Sequence, residues 1–362
     1  MQKSIEKLRS EYEKREKILT VKDLVVKFSL RGEELTAIRQ ASLDVYKGES
    51  LCIVGESGCG KSVLTKSFMG MLDNNGWIDS GSIMYKGNDL AKYKTEAQWM
   101  QIRGKEIAMV FQDPMTSLNP LRRIGAQIQE AVELHQGLRG EEARKAVYEI
   151  LENVGISDPV RRYRQYPFEF SGGMRQRVVI AIAMACKPQI LICDEPTTAL
   201  DVTIQAQILQ LLDKLQKMYD LTVIYITHDL GVVAHVADRV AVMYAGDIIE
   251  VGLSEEIFYN PQHPYTMNLL SSLPQLGEKG KDLYAIKGTP PNLFKEIVGD
   301  AFAPRNPLAL KVDFVHRPPY FTVSPTHKAK TWLLDPRAPK VELPEAIKQL
   351  RSKWGDDIVA GS

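Results

Sequence analysis

At 362 residues the chain is more than twice a typical domain of about 150 residues, long enough to bury a sizeable core in more than one structural unit. A composition of 44% hydrophobic, 25% charged and 8% aromatic residues excludes a disordered, collagen-like or coiled-coil chain. With 46 Lys and Arg against 45 Asp and Glu, the formal charge of +1 excludes chain-wide binding of polyanions, so nucleic acid or anionic lipid would need a local patch.

The first seventeen residues carry both charge signs and no apolar core of a signal peptide, which predicts synthesis into the cytoplasm. Ile5, Leu8 and Tyr12 stand at roughly helical spacing there, leaving a short surface helix and a frayed charged extension both open. Strand patterns follow over Leu19–Ser29 and Leu35–Val45. The apolar run Leu51–Val54 leads into a glycine-rich stretch, Gly55 to Gly60, and a helical pattern from Lys61 to Leu72. Residues 119–185 read mainly as helices, with Ile124, Ile128 and Val132 on one face. Strands return at Ile190–Cys193, Val223–Thr227 and Arg239–Tyr244, separated by helical Val202–Tyr219 and Leu230–Ala237. This alternation predicts an α/β fold, a mostly parallel sheet with helices on it. Of the 19 prolines, 13 fall between Pro261 and Pro344, which predicts a loop-rich C-terminal extension. The longest apolar runs, such as Val178–Cys186, reach about half of the ~20 residues a membrane-spanning helix needs. Cys52, Cys59, Cys186 and Cys193 lack metal or disulfide spacing and read as reduced thiols, mostly buried.

The chemistry concentrates in three stretches. Gly55-Glu56-Ser57-Gly58-Cys59-Gly60-Lys61-Ser62 fits G-x-x-x-x-G-K-[ST] in a strand–loop–helix context, followed by Val63. Such a loop turns backbone N–H groups onto phosphate oxygens, with Lys61 at the β- and γ-phosphates and the Ser62 hydroxyl on Mg²⁺. The strand Ile190–Cys193 delivers Asp194 and Glu195 at its end, where ligands sit in parallel sheets. Adjacent strand residues point to opposite sides, so Asp194 suits the Mg²⁺ shell and Glu195 suits polarising an attacking water. Ser171-Gly172-Gly173 before an apolar helix is a second anion cradle, which suggests a nucleotide held by another subunit.

These motifs together resemble the nucleotide-binding subunit of ATP-binding-cassette (ABC) transporters. The resemblance implies a P-loop NTPase fold with a RecA-like core, an antiparallel β subdomain and a helical subdomain at about 119–185. It implies that Ser171-Gly172-Gly173 acts across a head-to-tail dimer. Gln112, within Phe111-Gln112-Asp113-Pro114, matches the Q-loop that touches Mg²⁺ and the attacking water; an ordinary surface loop is the alternative. Thr198-Ala199-Leu200-Asp201 resembles the D-loop, although Asp201 alone reads as a helix N-cap. His228 matches the switch histidine at the γ-phosphate, and Phe28 stands near the place of the adenine-stacking aromatic, with core packing as its alternative. Asn260-Pro261-Gln262-His263-Pro264-Tyr265-Thr266, Leu269-Leu270, Pro274 and Gly288-Thr289-Pro290-Pro291, together with Gly125-Ala126-Gln127-Ile128, resemble the bacterial oligopeptide permease group of Opp/Ami type. That implies residues 1–20 as a charged extension, 21–262 as the nucleotide-binding domain and 263–362 as a peptide-transporter extension.

The group further implies ATP and Mg²⁺ and a second, related ABC ATPase. Two transmembrane permeases, an extracellular peptide-binding lipoprotein and a peripheral place on the cytoplasmic face of the membrane complete the expectation. Dipeptide, nickel or glutathione import is the alternative cargo. A soluble ABC-type ATPase acting on DNA or ribosomes is the competing class; the chain shows no long coiled-coil insertion, zinc cysteines or second cassette, and no nucleic acid is expected. Ala301-Phe302-Ala303-Pro304-Arg305-Asn306-Pro307 keeps the frame that in many relatives carries cluster-binding cysteines, but no cysteine follows Cys193, so an iron–sulfur cluster there lacks ligands.

Overall fold

The computed structural model describes residues 2–198, 200–272, 286–345, 347–349 and 352. The described residues of 1–45, 52–91 and 227–362 form one unit, and those of 46–51 and 92–226 a second. The strands, in chain order, are β1 (Lys17–Leu30), β2 (Glu33–Tyr46), β3 (Ser50–Val54), β4 (Gly76–Tyr85), β5 (Asn88–Asp89) and β6 (Ile107–Val110). They continue as β7 (Ile190–Asp194), β8 (Thr222–Thr227), β9 (Arg239–Tyr244), β10 (Asp247–Leu253), β11 (Phe321–Thr322) and β12 (Lys328–Ala329).

In the first unit β1 alternates buried Leu19, Val21, Leu24 and Val26 with more exposed residues, the period of a half-buried strand. It pairs antiparallel with β4 in a sheet ordered β2-β1-β4-β5. The end of β3 belongs to another sheet, ordered β11-β12-β10-β9-β3 over this unit. β9 and β10 form a hairpin in which Tyr244 faces Asp247, so Ala245 and Gly246 are a two-residue turn with φ of 46° and 82°, the pairing of type I′. The helix expected from Lys61 to Leu72 stops at Ser67. Past it the N–H groups of Phe68, Met69 and Gly70 bond carbonyls three residues back, tightening the chain into turns that the apolar spacing alone does not reveal.

Of the two N-terminal alternatives the helix holds, over Gln2–Lys14. Tyr12 is buried beneath the Arg15 guanidinium, 4.2 Å from the ring centroid, and Arg9 Nε donates to Glu256 Oε1 at 2.9 Å. The C-terminal part is loop-rich, as the prolines predict, yet held by charge. Asp247 accepts from Lys330 at 2.7 Å and from Arg317 at 2.6 Å. Glu250, fully buried, meets His327 Nε2 at 2.8 Å and accepts the backbone N–H groups of Gln262 and His263 at 2.7 and 3.0 Å. Glu256 accepts from Ser324 and Thr326. Phe302 is buried edge-on against Tyr244 and Tyr265. Pro274 of the resemblance lies outside the described residues.

In the second unit β6, β7 and β8 are parallel, with Ile107 beside Ile190 and Ile190 beside Thr222. All three are buried along their length, the continuous apolar pattern of a sheet covered on both faces. The Glu49 carbonyl accepts from Val223 N–H at 2.9 Å, anchoring the start of β8. Helix Ile124–Gln136 buries Ile124, Ile128 and Val132, the expected apolar face, helix Gly140–Asn153 buries Ala143, Val147 and Leu151, and helix Gly172–Ala185 buries Val178, Val179 and Ile180. Among the described residues no helix is long and apolar enough to cross a membrane. The four cysteines are free thiols, and burial pushes Cys186 up to about 11.

Candidate functional site

The glycine loop leaves β3 in the first unit and wraps a lysine. Gly55 is required by close approach: a Cβ there would stand 2.1 Å from the Met243 carbonyl oxygen of β9. The far side of the loop is tied by Gly246 N–H, which donates to the Cys59 carbonyl at 2.9 Å. Lys61, 6% exposed, opens the helix Lys61–Ser67 and folds its ammonium back into the loop. There it donates to the Gly55 and Glu56 carbonyls at 2.8 and 3.0 Å and faces Cys59 Sγ at 3.8 Å. Burial pushes the Cys59 thiol up, against the opposing pull of Lys61, so the loop keeps a neutral thiol beside its cation. Ser57 and Gly58 are exposed; Gly60, Ser62 and Val63 are half-buried.

Glu56 has partners that sequence reasoning missed. Its N–H donates to the Tyr265 hydroxyl at 2.9 Å, and its carboxylate accepts both Arg305 Nη atoms, at 2.9 and 3.0 Å. Arg305 is 249 residues away, so no local pattern could find the pair. The retained Phe-x-Pro-Arg frame was the available signal. His228, exposed, follows β8, and Asp229 beyond it caps the helix Leu230–Val236 through Gly231 N–H at 2.8 Å. Phe28 is buried with its ring in the space a Gly76 Cβ would take, a core position.

In the second unit β7 brings Asp194, 7% exposed, to its end, followed by Glu195 at φ 46°. A non-glycine residue in the left-handed region is a strained position of the kind found at functional sites. Glu195 N–H is pinned by the Ile226 carbonyl at 2.9 Å. Its Oε2 accepts from Gln112 Nε2 at 2.8 Å and from Thr198 Oγ1 at 3.0 Å. Gln112, exposed after β6, and Glu195 are thus brought together from 83 residues apart. The Thr198 hydroxyl contact is a second feature the sequence does not announce.

Ser171 caps the helix Gly172–Ala185, its Oγ accepting from Met174 N–H at 3.4 Å. Ser171 and Gly172 are exposed, while Gly173 is buried where a Cβ would lie 2.6 Å from Ile204. Asp201 caps the helix Val202–Tyr219, accepting Ile204 N–H at 3.0 Å. Ala199 lies outside the described residues. In the second unit Asp194 and Gln112 offer carboxylate and amide oxygens, and in the first Ser62 offers a hydroxyl, each a hard donor of the kind that suits Mg²⁺.

The family model described as ABC transporter matches residues 38–198, and that of the oligopeptide/dipeptide transporter C-terminal region matches 249–312. The chain is similar to the oligopeptide transport ATP-binding protein AmiE of Streptococcus pneumoniae, 58% identical over 93% of this chain and 95% of that one. It is 55% identical to the oligopeptide transport ATP-binding protein OppD of Bacillus subtilis, over 92% and 93%. A third relative, the dipeptide transport ATP-binding protein DppD of Lactococcus lactis, is 54% identical over 94% and 97%. Among solved structures, a dimeric post-hydrolysis state of the ATP-binding cassette MJ0796, bound to ADP and Pi, aligns with a TM-score of 0.58 at 27% identity, covering 65% of this chain and 98% of that one. The cassette cbiO1 from Clostridium perfringens, part of a transporter complex, aligns at 0.59 and 29% identity, covering 72% and 97%.

Proposed function

The chain belongs to the ABC transporter ATPase family, and from that premise we propose that it is the ATP-hydrolysing subunit of a bacterial importer of oligopeptides. Relatives over nearly the full length are named for oligopeptide and dipeptide transport, and the match to the transporter C-terminal region supports the same cargo class. In this reading residues 21–262 form the cassette, 263–362 the extension and 1–20 a leading segment.

Lys61 and the loop N–H groups from Gly55 to Val63 hold the β- and γ-phosphates of ATP. The ammonium already points into the loop on neutral carbonyls, which an anion would outbid. Glu195 accepts the proton of the attacking water, while Gln112 and Thr198 fix its carboxylate. Mg²⁺, held by Ser62, Asp194 and Gln112, supplies neutralisation of phosphate charge when bound. His228 attends the γ-phosphate. Ser171, Gly172 and Gly173 serve the nucleotide of a partner cassette, with Asp201 at the same seam. The partners are a second, related ABC ATPase, two transmembrane permeases and, through them, an external peptide-binding lipoprotein. The chain then sits peripherally on the cytoplasmic face of the membrane.

The observation that carries the reading is the strained Glu195, oriented by Gln112 and Thr198. Its test is hydrolysis of MgATP by the purified chain alone and with the partner ATPase and permeases reconstituted in vesicles. Binding with slow turnover alone, rising when the complex is complete and peptide is supplied, is the expected result. A folded chain that binds no MgATP would refute it.

A further inference from the structure

One carboxylate stands inside the phosphate loop itself, at the second position. Glu56 sits where ATP brings several negative charges, and a like charge nearby weakens anion binding unless it is compensated. Compensation comes from the C-terminal extension. Arg305 places both Nη atoms on the two Glu56 oxygens in the fork geometry that suits a carboxylate. Its remaining donors are spent on the Tyr244 hydroxyl at 3.1 Å, the Lys287 carbonyl at 3.0 Å and the Ile286 carbonyl at 3.4 Å. The fork is therefore aimed by the extension rather than by the loop. The Glu56 pairing, with Tyr244 adding to it, holds the Arg305 guanidinium above its usual range. Beneath it Tyr265 accepts the Glu56 N–H, and the Tyr244–Tyr265–Phe302 cluster, with ring centroids 4.6 to 5.4 Å apart, fixes the platform.

We propose that Arg305 is a positioning residue for the nucleotide, contributed by the C-terminal extension, which neutralises and orients Glu56 so that the phosphate loop can accept ATP. This deepens the ATPase reading and rests on it. The loop alone is then poorly suited to its ligand, and the extension completes the site electrostatically without touching the phosphates.

The test is equilibrium binding of MgATP to the purified chain and its variants, with thermal unfolding recorded for each. Arg305→Ala leaves Glu56 uncompensated and is expected to weaken MgATP binding roughly 5- to 50-fold. Glu56→Gln removes the repelling charge and frees the guanidinium, so binding is expected to tighten several-fold; this variant keeps Arg305 and the packing beneath it. Arg305→Ala combined with Glu56→Gln should return to within about two-fold of wild type, because the charge that needed neutralising is gone. Arg305→Lys, which keeps the charge without the fork, should fall between wild type and alanine. A purely structural contact predicts the opposite pattern: Glu56→Gln would weaken binding or leave it unchanged, and the double variant would bind no better than Arg305→Ala. Either result overturns the inference. The wild-type control separates the two claims, since failure of wild type to bind MgATP sinks the ATPase reading, whereas wild-type binding with the wrong sign in Glu56→Gln sinks only the role of Arg305.

Discussion

Glu195 combines a left-handed backbone with a carboxylate held by two donors. Such a conformation costs about 1–3 kcal/mol, and parallel strand β7 with the Ile226 carbonyl keeps it in place. Glu195→Gln keeps the shape but cannot accept a proton, so hydrolysis should fall about 10²–10⁴-fold with MgATP binding retained. Single-turnover hydrolysis alongside equilibrium binding checks this; unchanged turnover would move the base to another residue. Lys61→Ala removes the cation folded into the loop and should abolish productive ATP binding and uptake, read by isothermal titration on protein whose circular dichroism is native. Lys61 and the acid pair were legible because their motifs are local. Phe28 was not, since a strand position beside the loop leaves stacking and core packing equally consistent with the pattern, and burial against Gly76 is a tertiary fact.

The β9–β10 hairpin shows what an element contributes to the site. Its turn residue Gly246 bonds the Cys59 carbonyl on one side and receives Arg39 N–H at 2.8 Å on the other, so one tight turn ties the phosphate loop to β2. Ala245 holds φ 46° in that turn, and asparagine tolerates the left-handed region better. Ala245→Asn should therefore stabilise the chain by about 0.5–1 kcal/mol in chemical unfolding, without change in nucleotide affinity. A second consequence of β10 is acid sensitivity. Burial works to raise Glu250, but His327 and the loop N–H donors prevail and its carboxyl lies below the ordinary 4.5. A depressed folded value gives stability that is complete above 4.5 and lost as pH falls through the folded value. Urea midpoints followed from about pH 6 to about pH 3.5 should drop more steeply in wild type than in Glu250→Gln; parallel slopes would remove Glu250 from the account. The strands β1, β2, β3, β7, β8 and β9 were readable from alternation and apolar runs to within a residue or two, whereas β4, β6 and β10 were not expected from the sequence. The early end of the helix after Lys61 was not, because Phe68 and Met69 continue the apolar spacing while the hydrogen bonds shorten. Nor was the choice for the N-terminal helix, which depends on Tyr12 finding Arg15 and Arg239.

For the molecule as a whole, the proposed role of the second anion cradle implies an active assembly of more than one chain. Ser171→Arg should leave ATP binding at this chain's own phosphate loop intact while hydrolysis at the partner's loop falls, because a bulky cap blocks the N–H groups at the helix start. Photolabelling of each subunit in reconstituted complexes separates the two sites, and loss of labelling in the mutated chain itself would place the cradle in cis. What composition could not convey is how the proline-rich tail is attached. Asp247, Glu250 and Glu256 are buried acids in or just after one strand, and besides Arg9 and the N–H groups of Gln262 and His263 they are held by Arg317, Ser324, Thr326, His327 and Lys330 from beyond residue 300. Cutting the chain after Ser271 would take Arg317 and Lys330 from Asp247 and His327 from Glu250, while Glu256 keeps Arg9 and Glu250 keeps the Gln262 and His263 N–H groups, so the loss falls on the charged contacts of Asp247 and Glu250. Transplantation is constrained in the same way: a tail grafted from a relative would take only if its basic and hydroxyl residues matched these acids. Recombination between paralogous importers should thus leave viable junctions upstream of β10 and few between β10 and residue 330.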